Sequence, residues 1–145
     1  FVGFTPAFGR QETVKYHGKK VQLFLSKNPT SFNQSYTTIQ ELGGKVLLIV
    51  LNDRIPDGRD VSWIWDVDLP ELTKFTKILL AGDRVYDMAL RIHYEGNTNF
   101  ATFENLSAAI NTGVAFVDTD ETFFILPTYS AMLETRKILT GKKIL

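Results

Sequence analysis

The chain has no cysteine. A disulfide framework, a thiolate metal site and a cysteine nucleophile are therefore excluded from it, and any thiol chemistry belongs to a partner. Neither sign of charge is in excess, because 16 Lys plus Arg balance 16 Asp plus Glu. A dedicated nucleic-acid binder needs a basic stripe or face, so that class is set aside. Long apolar runs are missing as well. The longest, Val46 to Leu51 and Ile78 to Ala81, fall far below the roughly 20 residues of a membrane-spanning helix. The only histidines are His17 and His93, and neither has a recognisable ligand or triad partner in sequence. His93 follows the apolar Ile92 of a helical pattern and reads as a surface or boundary residue rather than a general base. A GxxxxGK phosphate loop is absent, and Gly82-Asp83-Arg84 is too short a signal to define a nucleotide loop. The chain opens Phe1-Val2-Gly3-Phe4, with no initiator Met, basic n-region or signal-like stretch, and is expected to be a piece of a longer protein.

What is present suffices for one ordinary domain of 145 residues. Apolar runs of strand length alternate with segments of helical period, which predicts an α/β class with parallel strands and crossover helices. Val21–Leu25 reads as a strand, and after the Asn28-Pro29 stop Phe32, Tyr36 and Ile39 mark a helix that Gly43-Gly44 ends. Lys45–Leu51 is a continuous aliphatic run, expected to be a central strand buried on both faces. Lys77–Ala81 starts a third unit, followed by a helix on Val85, Met88, Ala89 and Ile92 that Gly96 closes. A short strand near Phe100–Phe103, a helix over Glu104–Asn111, a strand at Thr122–Leu126 and a helix over Thr128–Leu139 follow. In the last, Tyr129, Met132, Leu133 and Arg136 form a stripe expected to be core, with Arg136 capping or pairing. The predicted fold is a Rossmann-like, mainly parallel sheet with helices on both faces. Residues 1–20 carry Gly3, Pro6, Gly9 and Gly18 with little period, and read as a leading linker with room for a hairpin before a domain over 21–145.

One segment breaks the pattern. After the Lys45–Leu51 strand, where a short loop and a helix should come, residues 52–68 hold five Asp and both Trp. The segment begins at the carboxyl end of a strand, where open α/β sheets place ligands. Read as architecture, Asp57-Gly58 makes a turn, Arg59 pairs with a carboxylate, and Trp63 and Trp65 cover a core edge. Read as chemistry, an ionised carboxylate orients a histidine in a hydrolase triad or holds a metal, with Mg²⁺ favoured over zinc. A stand-alone Mg²⁺ site of Asp53, Asp57, Asp60 and Asp66 ranks last, since no general base or phosphate anchor accompanies it. Composition alone does not separate these readings. Lys27-Asn28-Pro29, at the end of the first strand, could face a ligand or serve as a strand-to-helix turn, and the turn is favoured.

Four stretches taken together resemble the C-terminal domain of MurT, the Mur-ligase-like subunit of lipid II isoglutaminyl synthase. They are Pro6–Glu12, Lys27-Asn28-Pro29 with Phe32-Asn33-Gln34, Asp57–Asp66, and Leu126–Leu133. The likeness runs in order over nearly the whole chain and departs at Ser31, where the family often has Gly. It implies a Mur-ligase-type C-terminal α/β domain of a glutamine-hydrolysing carbon–nitrogen ligase that amidates the D-glutamate α-carboxylate of the lipid II stem peptide. A GatD-like glutamine amidotransferase subunit would supply ammonia, and ATP with Mg²⁺ would turn the poor carboxylate electrophile into an acyl phosphate. ATP and Mg²⁺ would bind mainly outside this fragment, and zinc would sit in a central domain that it lacks, leaving the fragment inactive alone. The resemblance places the protein at the cytoplasmic face of the bacterial membrane. It also implies that an Asp of this domain completes the partner's Cys-His-Asp triad. Asp66, after Trp63-Ile64-Trp65, is expected to fill that role in a rigid, partly desolvated position, with Asp60 as runner-up. Arg59, Ser62, Trp63 and Trp65 would form the partner-docking loop. Asn28 and Lys27, like the His-Asn-Pro segment of Mur ligases, would approach nucleotide and substrate.

Overall fold

The computed structural model describes residues 3–5, 11–97 and 99–141, and Pro6–Arg10 of the resemblance lie outside them. Seven strands form one sheet: β1 (Gly3–Thr5), β2 (Gln11–Tyr16), β3 (Lys19–Phe24), β4 (Val46–Val50), β5 (Lys77–Ala81), β6 (Ala101–Thr102) and β7 (Thr122–Pro127), in the order β1-β2-β3-β7-β4-β5-β6. From β3 to β6 every pairing is parallel, whereas β1, β2 and β3 pair antiparallel. The β2–β3 hairpin turns at His17-Gly18, both in left-handed conformation, so regular strand structure reaches back into residues 1–20. β4 is interior as expected, flanked by β7 and β5.

The helices are α1 (Pro29–Glu41), α2 (Val85–Tyr94), α3 (Leu106–Phe116) and α4 (Tyr129–Thr140). Alternation along β4 divides the core. Leu47, Ile49 and Leu51 face Phe32, Tyr36 and Ile39 of α1 and Val85, Met88 and Ile92 of α2, while Val46, Leu48 and Val50 face Ala109, Ile110 and Val114 of α3 and Ala131 and Met132 of α4. Each strand residue thus feeds one of two cores, as period 2 dictates. The α4 stripe divides likewise: Met132 is buried and Arg136 pairs with Glu12 of β2, but Tyr129 is exposed at the helix start and is not core.

Between β4 and β5 there is no α-helix. Three 3-10 turns, Ile55–Asp57, Ser62–Asp66 and Leu72–Lys74, carry the chain across, and Val61, Ile64, Val67, Leu69, Leu72 and Phe75 fill the core that a helix would have covered. Backbone approach is closest at Gly82, just past β5. Its φ is +107°, and a Cβ there would collide with the Leu51 carbonyl. Gly82→Ala should therefore destabilise more than Gly141→Ala, which meets open space at φ +70° and pays only the left-handed penalty of about 1–2 kcal/mol. Urea titration of the two variants checks this. Equal losses would mean that the Gly82–Leu51 contact relaxes freely.

Candidate functional site

Asn52, the second residue past β4, is buried and organises the carboxyl edge of the sheet. Its N–H donates to Thr128 Oγ1 (3.1 Å), and its Nδ2 donates to Ser130 Oγ (3.0 Å) and Glu134 Oε1 (3.2 Å). Its Oδ1 accepts from the Asp83 N–H (2.9 Å). One residue therefore links the ends of β4, β5 and β7 to the first turns of α4. Thr128, the N-cap residue of α4, makes no side-chain cap bond. Asp57 takes that place from 73 residues away: its Oδ1 accepts the Ser130 N–H (2.7 Å), and its Oδ2 accepts the Ser130 hydroxyl (2.5 Å). A carboxylate at a helix N-terminus is stabilised by the unpaired N–H groups and the dipole. Gly58 follows at φ +89°, so the Asp57-Gly58 turn read from sequence is present, with this helix cap added.

Beyond the turn the chain enters Ser62–Asp66, which is held from below. Arg91 of α2 is buried; its Nε donates to the Ile64 carbonyl (2.9 Å), its Nη2 to the Val67 carbonyl (2.8 Å), and its Nη1 pairs with Glu95 (2.8 Å). Ile64 is fully buried, and Trp63 packs edge-on against Phe32 of α1 at 6.2 Å between ring centres. Asn33 of α1 accepts the Asp68 N–H (2.8 Å), which fixes the far end. Trp65 points outward, 45% exposed, with its ring 5.4 Å from that of Tyr94.

Above this support lies a hollow of about 220 Å³ lined by Arg59, Asp60, Ser62, Trp65, Arg84 and Asp87. The exposed Asp60 carboxylate accepts the Ser62 N–H (2.8 Å). That backbone bond, with the Ser62 hydroxyl and the Arg84 charge, holds Asp60 below the usual carboxylate range, so it stays ionised at neutral pH. Arg84 pairs with Asp87 (2.6 Å) and Asp53 (3.1 Å), which raises its pKa. Arg54 similarly spans Asp83 (3.0 Å) and Glu134 (3.2 Å).

Two expectations are corrected by these contacts. Asp66 is exposed rather than partly desolvated and forms no hydrogen bond or ion pair with another described residue, whereas the equally exposed Asp60 is bonded by the Ser62 N–H and lies in a hollow that Trp65 lines. Arg59 is exposed and pairs with no described carboxylate, since Arg84 fills that role. The acidic residues of the loop do not converge either. Asp53 faces Arg84, Asp57 faces Ser130 and Asp60 faces Ser62, and among the described residues no group of three or more His, Asp or Glu could hold a metal.

Lys27 and Asn28 lie on the same carboxyl edge of the sheet but not in the Asp60 hollow. Asn28 is the N-cap of α1: its Oδ1 accepts the Ser31 N–H (2.8 Å), and Ser31 Oγ accepts the N–H groups of Asn28 (3.2 Å) and Lys27 (2.9 Å). Ser31 therefore completes a capping box. Sequence reasoning missed Asn52, Ser130, Arg84 and Arg91 as organisers. Arg91 alone left a signal, a charged residue beside Met88 and Ile92 on the apolar side of a helix.

The element order and carboxyl-edge site define a Mur-ligase-type C-terminal α/β domain. Folylpolyglutamate synthase from Thermotoga maritima superposes with a TM-score of 0.58 at 19% identity, over 94% of this chain and 31% of that one. UDP-N-acetylmuramoyl-L-alanyl-D-glutamate–2,6-diaminopimelate ligase superposes with a TM-score of 0.59 at 14% identity, over 97% of this chain and 32% of that one. More particularly, the chain belongs to the family described as MurT ligase C-terminal, which matches residues 25–132. The MurT subunit of lipid II isoglutaminyl synthase (glutamine-hydrolyzing) from Streptococcus pneumoniae is 34% identical over 142 residues, covering 94% of this chain and 31% of the relative. That of Staphylococcus aureus is 38% identical over 95 residues, covering 63% of this chain and 22% of the relative. The chain thus spans less than a third of the length of these curated relatives.

The support beneath the loop yields a test. Arg91→Met keeps the aliphatic stem but strands two buried carbonyls, which should cost about 2–4 kcal/mol. Arg84→Met removes only part-exposed ion pairs and should cost about 1 kcal/mol or less. Thermal unfolding ranks the two, and Trp fluorescence should change for Arg91→Met in the folded state. Equal stabilities would show that the Arg91 bonds are not what holds Ser62–Asp66.

Proposed function

We propose that this domain serves in a lipid II isoglutaminyl synthase and supplies a carboxylate to the active site of a separate glutaminase subunit. Membership of the MurT ligase C-terminal family, with named relatives in two bacteria, supports the first part. The reaction is then ATP-dependent amidation of the D-glutamate α-carboxylate of the stem peptide, with ammonia from glutamine. ATP and Mg²⁺ bind mainly in the larger protein and zinc in its central domain; among the described residues here no three His, Asp or Glu side chains group so as to hold a metal. The work takes place at the cytoplasmic face of the membrane, where lipid II is built. No helix among the described residues is long and apolar enough to cross the bilayer.

Asp60 carries the second part. It is ionised, fixed by the Ser62 N–H and open at the surface of a hollow, which lets it accept a hydrogen bond from an imidazole on another subunit. A triad carboxylate selects the imidazole tautomer and stabilises the imidazolium, and both tasks need a held orientation. Asp66, four residues past Ser62, lacks such a fixing bond and becomes the runner-up. A second reading, a non-catalytic module that only docks a partner through the loop, draws on the exposure of Trp65.

The discriminating experiment measures glutamine hydrolysis by the full-length protein with its glutaminase subunit, and follows complex formation by gel filtration. Asp60→Asn should leave the complex intact and lower turnover by about 10³–10⁴-fold, because Asn favours the wrong tautomer. Loss with Asp66→Asn instead moves the role six residues along the chain. Full turnover in both variants leaves docking as the loop's task.

A further inference from the structure

α2 has an outer face that the other described residues leave largely exposed. Tyr86, Leu90 and Tyr94 are 59%, 48% and 70% exposed. Spaced four apart, they lie along one side of the helix, opposite the Val85, Met88 and Ile92 that enter the core. Trp65 extends the stripe at its Tyr94 end through their ring contact. The result is a row of three aromatics and a leucine. Patches of this kind are uncommon on a surface that meets only water, and Trp and Tyr are the residues that concentrate binding energy at interfaces.

We infer that this α2–Trp65 stripe is the apolar half of the surface that docks the glutaminase subunit, with the Asp60 hollow as its polar half; the inference rests on the function proposed above. Three observations choose this occupant. First, the two halves are continuous: Trp65 lines the Asp60 hollow and touches Tyr94, while Arg84 and Asp87, at the start of α2, line the hollow from the other side. A subunit that brings a histidine to Asp60 therefore lies against α2. Second, the stripe sits on the side of the sheet that ends in β6, since α2 packs on β5 and β6, whereas β1, carrying the first described residues, is the opposite edge. The stripe and β1 therefore lie toward opposite ends of the sheet. Third, the rim is charged but incompletely paired: Arg59 borders the hollow without a described carboxylate partner, which suits an acidic residue on an incoming protein. The Tyr86 hydroxyl already donates to Glu104 (2.9 Å), so the matching surface is apolar, able to accept a hydrogen bond from the Tyr94 hydroxyl, and acidic opposite Arg59.

The test titrates full-length protein with the glutaminase subunit by calorimetry and repeats the glutaminase assay at saturating partner. Leu90→Arg and Tyr94→Arg place charge on exposed helical positions that leave the core untouched. Each should weaken association at least tenfold while restoring near-wild-type turnover at saturation. Leu42→Arg, at an exposed leucine beyond α1, should bind as wild type. Asp60→Asn gives the converse pattern, normal affinity without turnover. If wild-type subunits fail to associate, the proposed function itself falls. If they associate and both α2 variants bind with unchanged affinity, or Leu42→Arg binds as poorly as they do, the stripe is not the docking face while the Asp60 reading stands. Self-association of wild type that the α2 variants abolish would assign the face to a second copy and overturn the inference.

Discussion

The connection from β4 to β5 must bury an apolar face without the hydrogen bonds of an α-helix, and most of the site follows from how it does so. A helix satisfies its own backbone, whereas a chain of short 3-10 turns leaves carbonyls and N–H groups to be met from outside. Side chains from other elements meet them here. Arg91 of α2 takes the carbonyls of Ile64 and Val67, Asn33 of α1 takes the Asp68 N–H, and Tyr36 and Gln40 of α1 donate to the Pro70 carbonyl at 2.8 and 2.7 Å. The loop is rigid because its partners sit on helices packed into the same core.

The charged residues around it divide by burial, and burial decides what each one does. Arg91 is desolvated, so its bonds act at low dielectric and losing it strands acceptors that water does not reach. Arg54 and Arg84 lie near the surface, where ion pairs are screened and contribute little to stability. Their effect is local: they consume Asp53, Asp83, Asp87 and Glu134, which leaves Asp60 as the acidic group facing the hollow with only Ser62 and the Arg84 field to set its state. The layout separates strength from chemistry.

This division also explains what the sequence reveals. Strands and helices were legible because burial on two faces writes long aliphatic runs and i, i+4 patterns, and Lys45–Leu51 and Phe32-Tyr36-Ile39 sit where those patterns place them. The anomaly after β4 was legible too, as polar and aromatic composition where a helix should begin. The hydrogen-bond partners were not. Ser130 and Asp57 lie 73 residues apart, and Asn52 reaches Glu134 across 82, separations that no local pattern encodes. How Asp60 and Asp66 are each held was not legible for a related reason. Adjacent aromatics suggested shelter for Asp66, yet in a short 3-10 turn neighbouring side chains diverge, and Trp65 turns toward Tyr94 and the Asp60 hollow.

A carboxylate that works inside one chain is normally sheltered from water, so the full exposure of Asp60 would count against it in a self-contained active site. A shared site reverses that inference. A group that must reach a histidine on another subunit is exposed until the subunits meet, and the docking itself removes the water. What the free domain must supply beforehand is orientation and charge, since neither can be assembled cheaply at the moment of contact. The Ser62 N–H bond supplies the first, and together with Arg84 it supplies the second by keeping the carboxylate ionised. Both would survive burial on the proposed docking, because the N–H bond belongs to the turn and Arg84 is already tied to Asp53 and Asp87. On the proposed docking, the hydrophobic contact that excludes the water would come from residues close by, and Trp65 with the outer face of α2 is an apolar surface beside the hollow.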